Sequence, residues 1–128
     1  MGLTQQKSGV RTLATGAVTD TYTFSNVFGN IDKVVVMFSG ASSNFKIYGL
    51  AGDGTTAADY FLGTAGATIT QTAGTVTYYP RPLAQDKAAA DITGMLVQYV
   101  QIGGVKIDVT NVAQTETWSV DIYYDDQM

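Results

Sequence analysis

The feature that most constrains the fold is a succession of short segments in which apolar and polar residues alternate. The clearest is TWSVDIYY near the carboxyl end, where Trp118, Val120 and Ile122 are separated by polar side chains. A period of two is typical of a strand with one buried face. Residues 85–91 favour a helix, but over about two turns only. The chain is therefore predicted to be all-β.

Three strands are predicted before residue 51, at residues 17–24, 33–39 and 44–50. Two hairpins are predicted after it, at residues 68–79 and 95–110, because Ala-Gly and Gly-Gly pairs interrupt the alternation and glycine accepts a positive φ. The register of the second hairpin gives each side chain a face. It places Val100, Ile102, Val105, Ile107 and Val109 in the core and Val97, Tyr99 and Gln101 on the opposite face.

The number and spacing of these segments predict the architecture. About eight strands at short intervals are typical of an antiparallel β-sandwich, here one of jelly-roll type. Residues 1–16 lack the period of a helix or a strand and are predicted to be an extended N-terminal arm. Residues 17–128 are predicted to form a single domain, which suits a chain of 128 residues.

Composition excludes several classes of function. The chain has no His and no Cys, which excludes thiolate nucleophiles, histidine bases and the usual zinc sites. A net charge of −4 argues against nucleic acid as a partner. No stretch approaches the ~20 apolar residues of a membrane span, and the first residues do not form a signal peptide. We expect no cofactor, no membrane contact and no secretory processing.

Three patterns are candidates for ligand binding or catalysis. Residues 52–57, GDGTTA, match a dinucleotide fingerprint formally, but no long helix follows them. Asp53 and Asp59 are candidate Ca²⁺ ligands, although Asp-Gly more often marks a turn. Asp108 and Asp121 are a candidate carboxylate pair for a small hydrolase, which would require a deep acidic cleft. The chain is predicted not to be an enzyme.

The low content of charged side chains favours assembly. Charged residues make up 14% of the chain, against about 25% in typical soluble domains. Such a surface suits a protein that neighbouring subunits cover. Trp118 is in phase with apolar neighbours and is predicted to lie in the core. The candidate interface residues are Lys7 and Arg11 in the basic first segment, together with Met95, Val97, Tyr99, Tyr79 and Tyr123.

In these respects the chain resembles the small structural proteins of tailed-phage virions, especially head decoration or cement proteins. The resemblance is carried by the Thr, Gly and Ala richness, the absence of Cys, the polar arm and the β domain that ends in TWSVDIYYDD. It implies a homotrimer on the capsid surface of the virion, made in the host cytoplasm and bound to the major capsid protein. Lys7 and Arg11 would then dock the arm onto an acidic shell.

A second function stays open from the sequence. The chain is also compatible with a receptor-binding or glycan-binding β-sandwich module of a phage tail. Exposed aromatic residues clustered near Tyr60 or Tyr79 would favour that alternative, because aromatic rings stack on sugars.

Overall fold

A computed structural model describes residues 3–13, 18–85, 87–110 and 116–126, apart from the side chains of residues 41 and 42. The prediction of an all-β chain is confirmed, since 74% of the described residues lie in strands and none in a helix. The strands are β1 (Thr4–Lys7), β2 (Arg11–Thr12), β3 (Thr19–Leu50), β4 (Ala57–Leu62), β5 (Ile69–Tyr78), β6 (Leu83–Gln85), β7 (Asp91–Leu96), β8 (Val100–Thr110) and β9 (Thr117–Asp125).

The helix predicted at residues 85–91 does not occur in the described part of that segment. Gln85 ends β6, Asp91 begins β7 and residues 87–89 form a turn or bend, with Ala89 at a φ of 64°. Two helical turns do not compensate for the unfavourable nucleation of an isolated helix. Residue 86 lies outside the described residues.

Strand β3 organises the sheet. It continues through the three strands predicted separately and bends so that different parts pair with different neighbours. Residues 19–30 pair with one edge of β8, and residues 44–49 pair with its other edge. Residues 34–38 lie between β9 and β5. The sheet thereby closes into a barrel of four strands, with the remaining strands added along it.

The hairpin predicted at residues 95–110 is wrong, because β8 runs straight through Gly103 and Gly104. A bulge opposite this point, where Asn26 has a φ of 59°, absorbs the irregularity instead of a turn. The alternation of β8 therefore does not reverse. Val105, Ile107 and Val109 are buried as predicted, whereas the side chains predicted for the core at Val100 and Ile102 are exposed.

The same alternation places Gln101 inside, although it was predicted to lie on the outer face. It is 4% exposed, and its Nε2 donates hydrogen bonds to the carbonyl oxygens of Leu50 at 3.1 Å and Gly104 at 2.9 Å. A bulge leaves backbone carbonyls without a strand partner, and a buried carbonyl must be paired. The side-chain amide of Gln101 provides that pairing.

The hairpin predicted at residues 68–79 is also a single strand, β5, which follows β3 on both sides of Gly74. Gly74 has a φ of 125°. The buried Gln71 lies three residues before Gly74, just as Gln101 lies three residues before Gly104. The Nε2 of Gln71 donates to the carbonyl oxygens of Val36 at 2.9 Å and Gly74 at 3.1 Å. Its Oε1 accepts a hydrogen bond from the Tyr78 hydroxyl at 2.8 Å.

Trp118 lies in the core, as predicted, with no exposed side-chain surface. Its indole Nε1 donates a hydrogen bond to Asp20 Oδ2 at 3.0 Å, so the polar edge of the ring is satisfied. The other large, fully buried side chains come mainly from β3, β8 and β9. They are Phe24, Phe38, Phe45, Ile31, Ile47, Ile107 and Ile122.

The described part of the predicted arm, residues 3–13, lies against the free edge of β9. Strands β1 and β2 pair antiparallel with β9, and Leu13 is buried in the core. Arg11 forms an ion pair with Asp20 at 3.1 Å and lies over the ring of Trp118. Residues 1–2 and 14–16 of the predicted arm lie outside the described residues.

Candidate assembly surface

Strands β6 and β7 form a two-stranded ribbon separate from the main sheet. They pair with each other alone among the described strands, so both outer edges of the ribbon are free. Met95 and Leu96 are consecutive in β7 and therefore point to opposite faces. They are 55% and 62% exposed, so apolar side chains face solvent on both sides. A two-stranded ribbon without a core is marginally stable alone.

The wall of the barrel beside the ribbon is also apolar. Residues 97–99 connect β7 to β8, and Val100 and Ile102 begin β8 with 51% and 63% of their surfaces exposed. Phe28 lies opposite Ile102 across the β3–β8 pair and is partly exposed too. We call these exposed side chains the apolar surface: Phe28, Leu83, Met95, Leu96, Val97, Val100 and Ile102.

The size and charge of the apolar surface both suit a protein contact. A large side chain presents roughly 150–250 Å² when fully exposed, so these seven partly exposed side chains present on the order of 600 Å². This area is divided between the two faces of the ribbon and the adjoining barrel wall, and its total is of the same order as the ~800 Å² that each partner contributes to a standard interface. No charged residue occurs between Asp91 and Lys106. The surface therefore matches the uncharged centre of an interface.

Four of the predicted interface residues are exposed: Met95, Val97, Tyr79 and Lys7, the last at the end of β1. The first two belong to the apolar surface. Tyr79 follows β5 and is 62% exposed. Met95 and Val97 lie on either side of Leu96, the last residue of β7, and both are exposed.

The other three predicted interface residues are engaged within the chain. Tyr99 is half-buried and packs on Phe61 with the ring centroids 4.9 Å apart; burial raises its pKa. The Tyr123 hydroxyl accepts a hydrogen bond from Gln5, and its ring lies under the Lys33 ammonium.

Arg11 is the third of these residues and is the most firmly held. Its guanidinium binds the carboxylate of Asp20 and lies over two aromatic rings, those of Tyr22 and Trp118. Burial raises the pKa of Asp20, but hydrogen bonds from Arg11, the Thr21 amide and Trp118 outweigh it, so this pKa lies below its usual value. Arg11 therefore holds the first segment to the barrel.

The candidate ligand-binding and catalytic aspartates are not brought together. Asp53 accepts hydrogen bonds from the Thr55 and Thr56 amides and the Thr56 hydroxyl, and these bonds, with the hydroxyl first, lower its pKa to about 2. Asp53 therefore stabilises an exposed turn. Asp108 lies in β8 between β3 residues, whereas Asp121 lies in β9, so the two are not on adjacent strands. No group of three metal-ligating side chains occurs among the described residues.

A groove lies on the outer face of β8, at the end far from the apolar surface. It has a volume of about 430 Å³. Its floor is formed by Lys106, Asp108 and Thr110 of β8. The start of β3 forms one side, and Lys46 with Thr68 forms the other.

Comparisons with known proteins do not identify a family. No protein-family model matches the chain, and no curated protein matches it either. Within the residues that the structure covers, no helix has the length and apolar character needed to cross a membrane.

Five members of the apolar surface were not predicted from the sequence: Leu83, Phe28, Leu96, Val100 and Ile102. The signal for the last two was present in the sequence, because uninterrupted alternation from Val109 back to Val100 places every even-numbered side chain of β8 outside. The predicted turn at the two glycines reversed that assignment. Phe28 and Leu96 had no comparable signal, since their exposure depends on which strands pair with which.

Proposed function

We propose that this chain is a non-enzymatic structural subunit that works by binding copies of itself and other proteins. The observation that carries the proposal is the apolar surface, above all the ribbon with apolar side chains on both faces. Exposed apolar area of this size stabilises a complex because association removes it from water. A second copy is the occupant that we assign, because the uncharged surface offers no charge pattern for a different partner and its area approaches that of a stable interface.

We further propose that the assembly is a tailed-phage virion, in which a homotrimer of this chain decorates the capsid. Support comes from the resemblance in composition and layout, together with the apolar surface. In this proposal the copies contact one another through the apolar surface, and another part of each subunit contacts the major capsid protein. Each bound copy then favours the assembled shell over its separated subunits by mass action. A jelly-roll-like sandwich remains part of the proposal.

The structure supports the glycan-binding alternative less. Tyr60 packs on Tyr48 with the ring centroids 5.1 Å apart, and Tyr79 is exposed without another aromatic ring in contact among the described residues. A sugar-stacking platform needs exposed rings at one place. The structural subunit is therefore the function that we favour.

Charge substitutions in the apolar surface test the self-association. We expect the doubly substituted variant L96K/I102K to sediment as a monomer where the unchanged chain sediments as an oligomer, because a buried unpaired ammonium opposes association. The matched control is V10K/V18K, which places the same charges at exposed apolar residues outside the apolar surface. The control variant should remain oligomeric. An L96K/I102K variant with unchanged sedimentation and an unchanged circular dichroism spectrum would contradict the proposal.

Cosedimentation with capsids tests the virion assignment separately. Capsids of the phage that encodes the chain, stripped of decoration protein, should bind the purified chain saturably and in a fixed ratio to the major capsid protein. Chain that self-associates but stays in the supernatant would reject the capsid partner and leave the self-association intact.

A further inference from the structure

Eight of the nine residues that line the groove on β8 are polar or charged, although most of the surface that they present is side-chain carbon, and the groove lies away from the apolar surface. Asp108 is six residues beyond Ile102 along one strand, or about 20 Å at ~3.3 Å per residue. Lys46 lies directly opposite Asp108 in the neighbouring part of β3, and Thr21 lies opposite it on the other side. All three side chains point outward. The groove therefore stays open when the apolar surface is covered.

The groove carries an excess of positive charge although the chain as a whole is negative. Asp20 is neutralised by Arg11, which leaves Lys46, Lys106 and Asp108. Lys106 lies 4.0 Å from Asp108. Lys46 donates to the Ala65 carbonyl at 3.4 Å and lies near the Tyr60 ring, with no carboxylate at ion-pairing distance among the described residues. The groove thus contains two ammonium groups and one carboxylate, which only Lys106 approaches, so it favours an anionic group.

Asp108 provides hydrogen-bond acceptors beside these ammonium groups. Its Oδ2 accepts a hydrogen bond from the Tyr48 hydroxyl at 2.8 Å. Its Oδ1 is shielded from solvent and accepts no hydrogen bond within the described part of the chain. Lys106 at 4.0 Å is too far to donate one. A buried acceptor without a donor is unfavourable, so a ligand hydroxyl that reached this oxygen would be stabilised by donating to it.

The groove also contains threonine side chains. Thr19, Thr21, Thr68 and Thr110 line the groove, and a hydroxyl both donates and accepts hydrogen bonds. These groups suit a ligand with several hydroxyls. A ligand that combined hydroxyls with one negative charge would use both the threonines and the lysines.

We propose that the groove binds a small polyhydroxylated carboxylate with the chemistry of a hexuronic acid. The carboxylate of the ligand binds the Lys46 and Lys106 ammonium groups. One ligand hydroxyl donates to Asp108, and others exchange hydrogen bonds with the threonines. The volume of about 430 Å³ lies within the range of small-ligand sites and accommodates one such ring. This binding is independent of the assembly function.

Titration with three matched probes tests the proposal. Glucuronate, glucose and inorganic phosphate are added in turn to the isotope-labelled full chain, and amide chemical shifts are recorded. We expect saturable shifts from glucuronate at residues 19–21, 46, 68 and 106–110, with a dissociation constant on the order of 1 mM, typical of a few solvent-exposed polar contacts. Glucose lacks the charge and phosphate lacks the arrangement of hydroxyls, so each should bind at least about fivefold more weakly.

Variants assign the contacts. Lys46→Gln and Lys106→Gln should each weaken glucuronate binding about fivefold, and Asp108→Asn should weaken it while the chain keeps its fold. The matched control, Lys33→Gln, alters a lysine beside Tyr123 and should leave binding unchanged. Absence of saturable shifts, equal binding of glucose or phosphate, or equal loss in the Lys33→Gln variant would each overturn the proposal.

An oligomer of uronic acid distinguishes the source of the ligand. If the groove takes one unit of a polysaccharide, a trimer of galacturonate should bind more tightly than its monomer by more than the threefold statistical factor. If the trimer binds no more tightly per uronate unit than the monomer, the ligand is a free acid. If neither the monomer nor the trimer binds, the proposed uronate site is overturned, and the proposal of self-association is not affected.

Discussion

Replacement of Gln101 by leucine should destabilise the barrel strongly. Leucine keeps most of the buried volume but removes the two hydrogen bonds that the Gln101 amide donates to Leu50 and Gly104. Both carbonyl oxygens lie beside a side chain that is 4% exposed, so water does not readily replace the amide. Leaving a buried acceptor unpaired costs about 1–3 kcal/mol, and two acceptors give an expected loss of about 2–6 kcal/mol.

The assay is urea unfolding followed by circular dichroism at one fixed chain concentration, because self-association adds to apparent stability. The control variant is Gln85→Leu, at an exposed glutamine in the ribbon, which should change the free energy of unfolding by less than about 0.5 kcal/mol. At roughly 4 °C for each kcal/mol, the melting temperature of the Gln101→Leu variant should fall by about 8–24 °C.

A third variant separates hydrogen bonding from packing. Gln101→Glu preserves shape but turns a donor into a carboxylate that faces two carbonyl oxygens. Burial and these acceptors should raise the pKa of this carboxyl, so the protonated form is favoured in the folded state and the variant loses stability as pH rises. Equal stability of the unchanged chain and the Gln101→Leu variant would refute the role that we assign to this side chain.

Three further predictions concern a pH dependence, an exposed turn and a close backbone contact. Folding lowers the pKa of Asp20, so the stability that this carboxylate provides is present above its unfolded pKa of 3.8 and is lost as pH falls through the lower folded value. In acid unfolding, the free energy of unfolding of an Asp20→Asn variant should therefore fall less steeply with pH than that of the unchanged chain. Carbon-detected NMR titration should give Asp53 a pKa of about 2, and Thr56→Val should raise it; an unchanged value would contradict the turn geometry. Gly29→Ala should destabilise by at least about 3 kcal/mol in urea unfolding, because φ is 133° and the added Cβ would collide with the carbonyl oxygen of Asp125. A near-neutral result would contradict that contact.

The sequence predicted the strand content well because alternation is a local property. Trp118, Val120 and Ile122 are buried as their period indicates. Buried and exposed side chains also alternate within each half of β8. The prediction that failed was the turn between the two halves. Gly103 does adopt a positive φ of 123°, as a turn requires, but at this position the glycine belongs to a continuous strand with a bulge opposite it. A positive φ is common to both structures, so local sequence does not separate them.

The candidate site was predicted in part for a related reason. Met95 and Val97 were identified because they are apolar in a segment without charge, and both are exposed. Tyr99 follows the same pattern but packs on Phe61, a contact between residues far apart in the chain. Arg11 was predicted to face a partner, and the structure pairs it with Asp20 instead. Long-range contacts of this kind depend on the path of β3, which alternation alone does not define.

If copies of this chain cover the apolar surface of one another, the purified protein is an oligomer, and native mass measurement of the unmodified chain shows whether it is. At micromolar protein concentrations we expect one discrete oligomer that dissociates on dilution, and the virion proposal predicts that this oligomer is a trimer. A monomer throughout this range, with the ribbon still folded, would contradict the account.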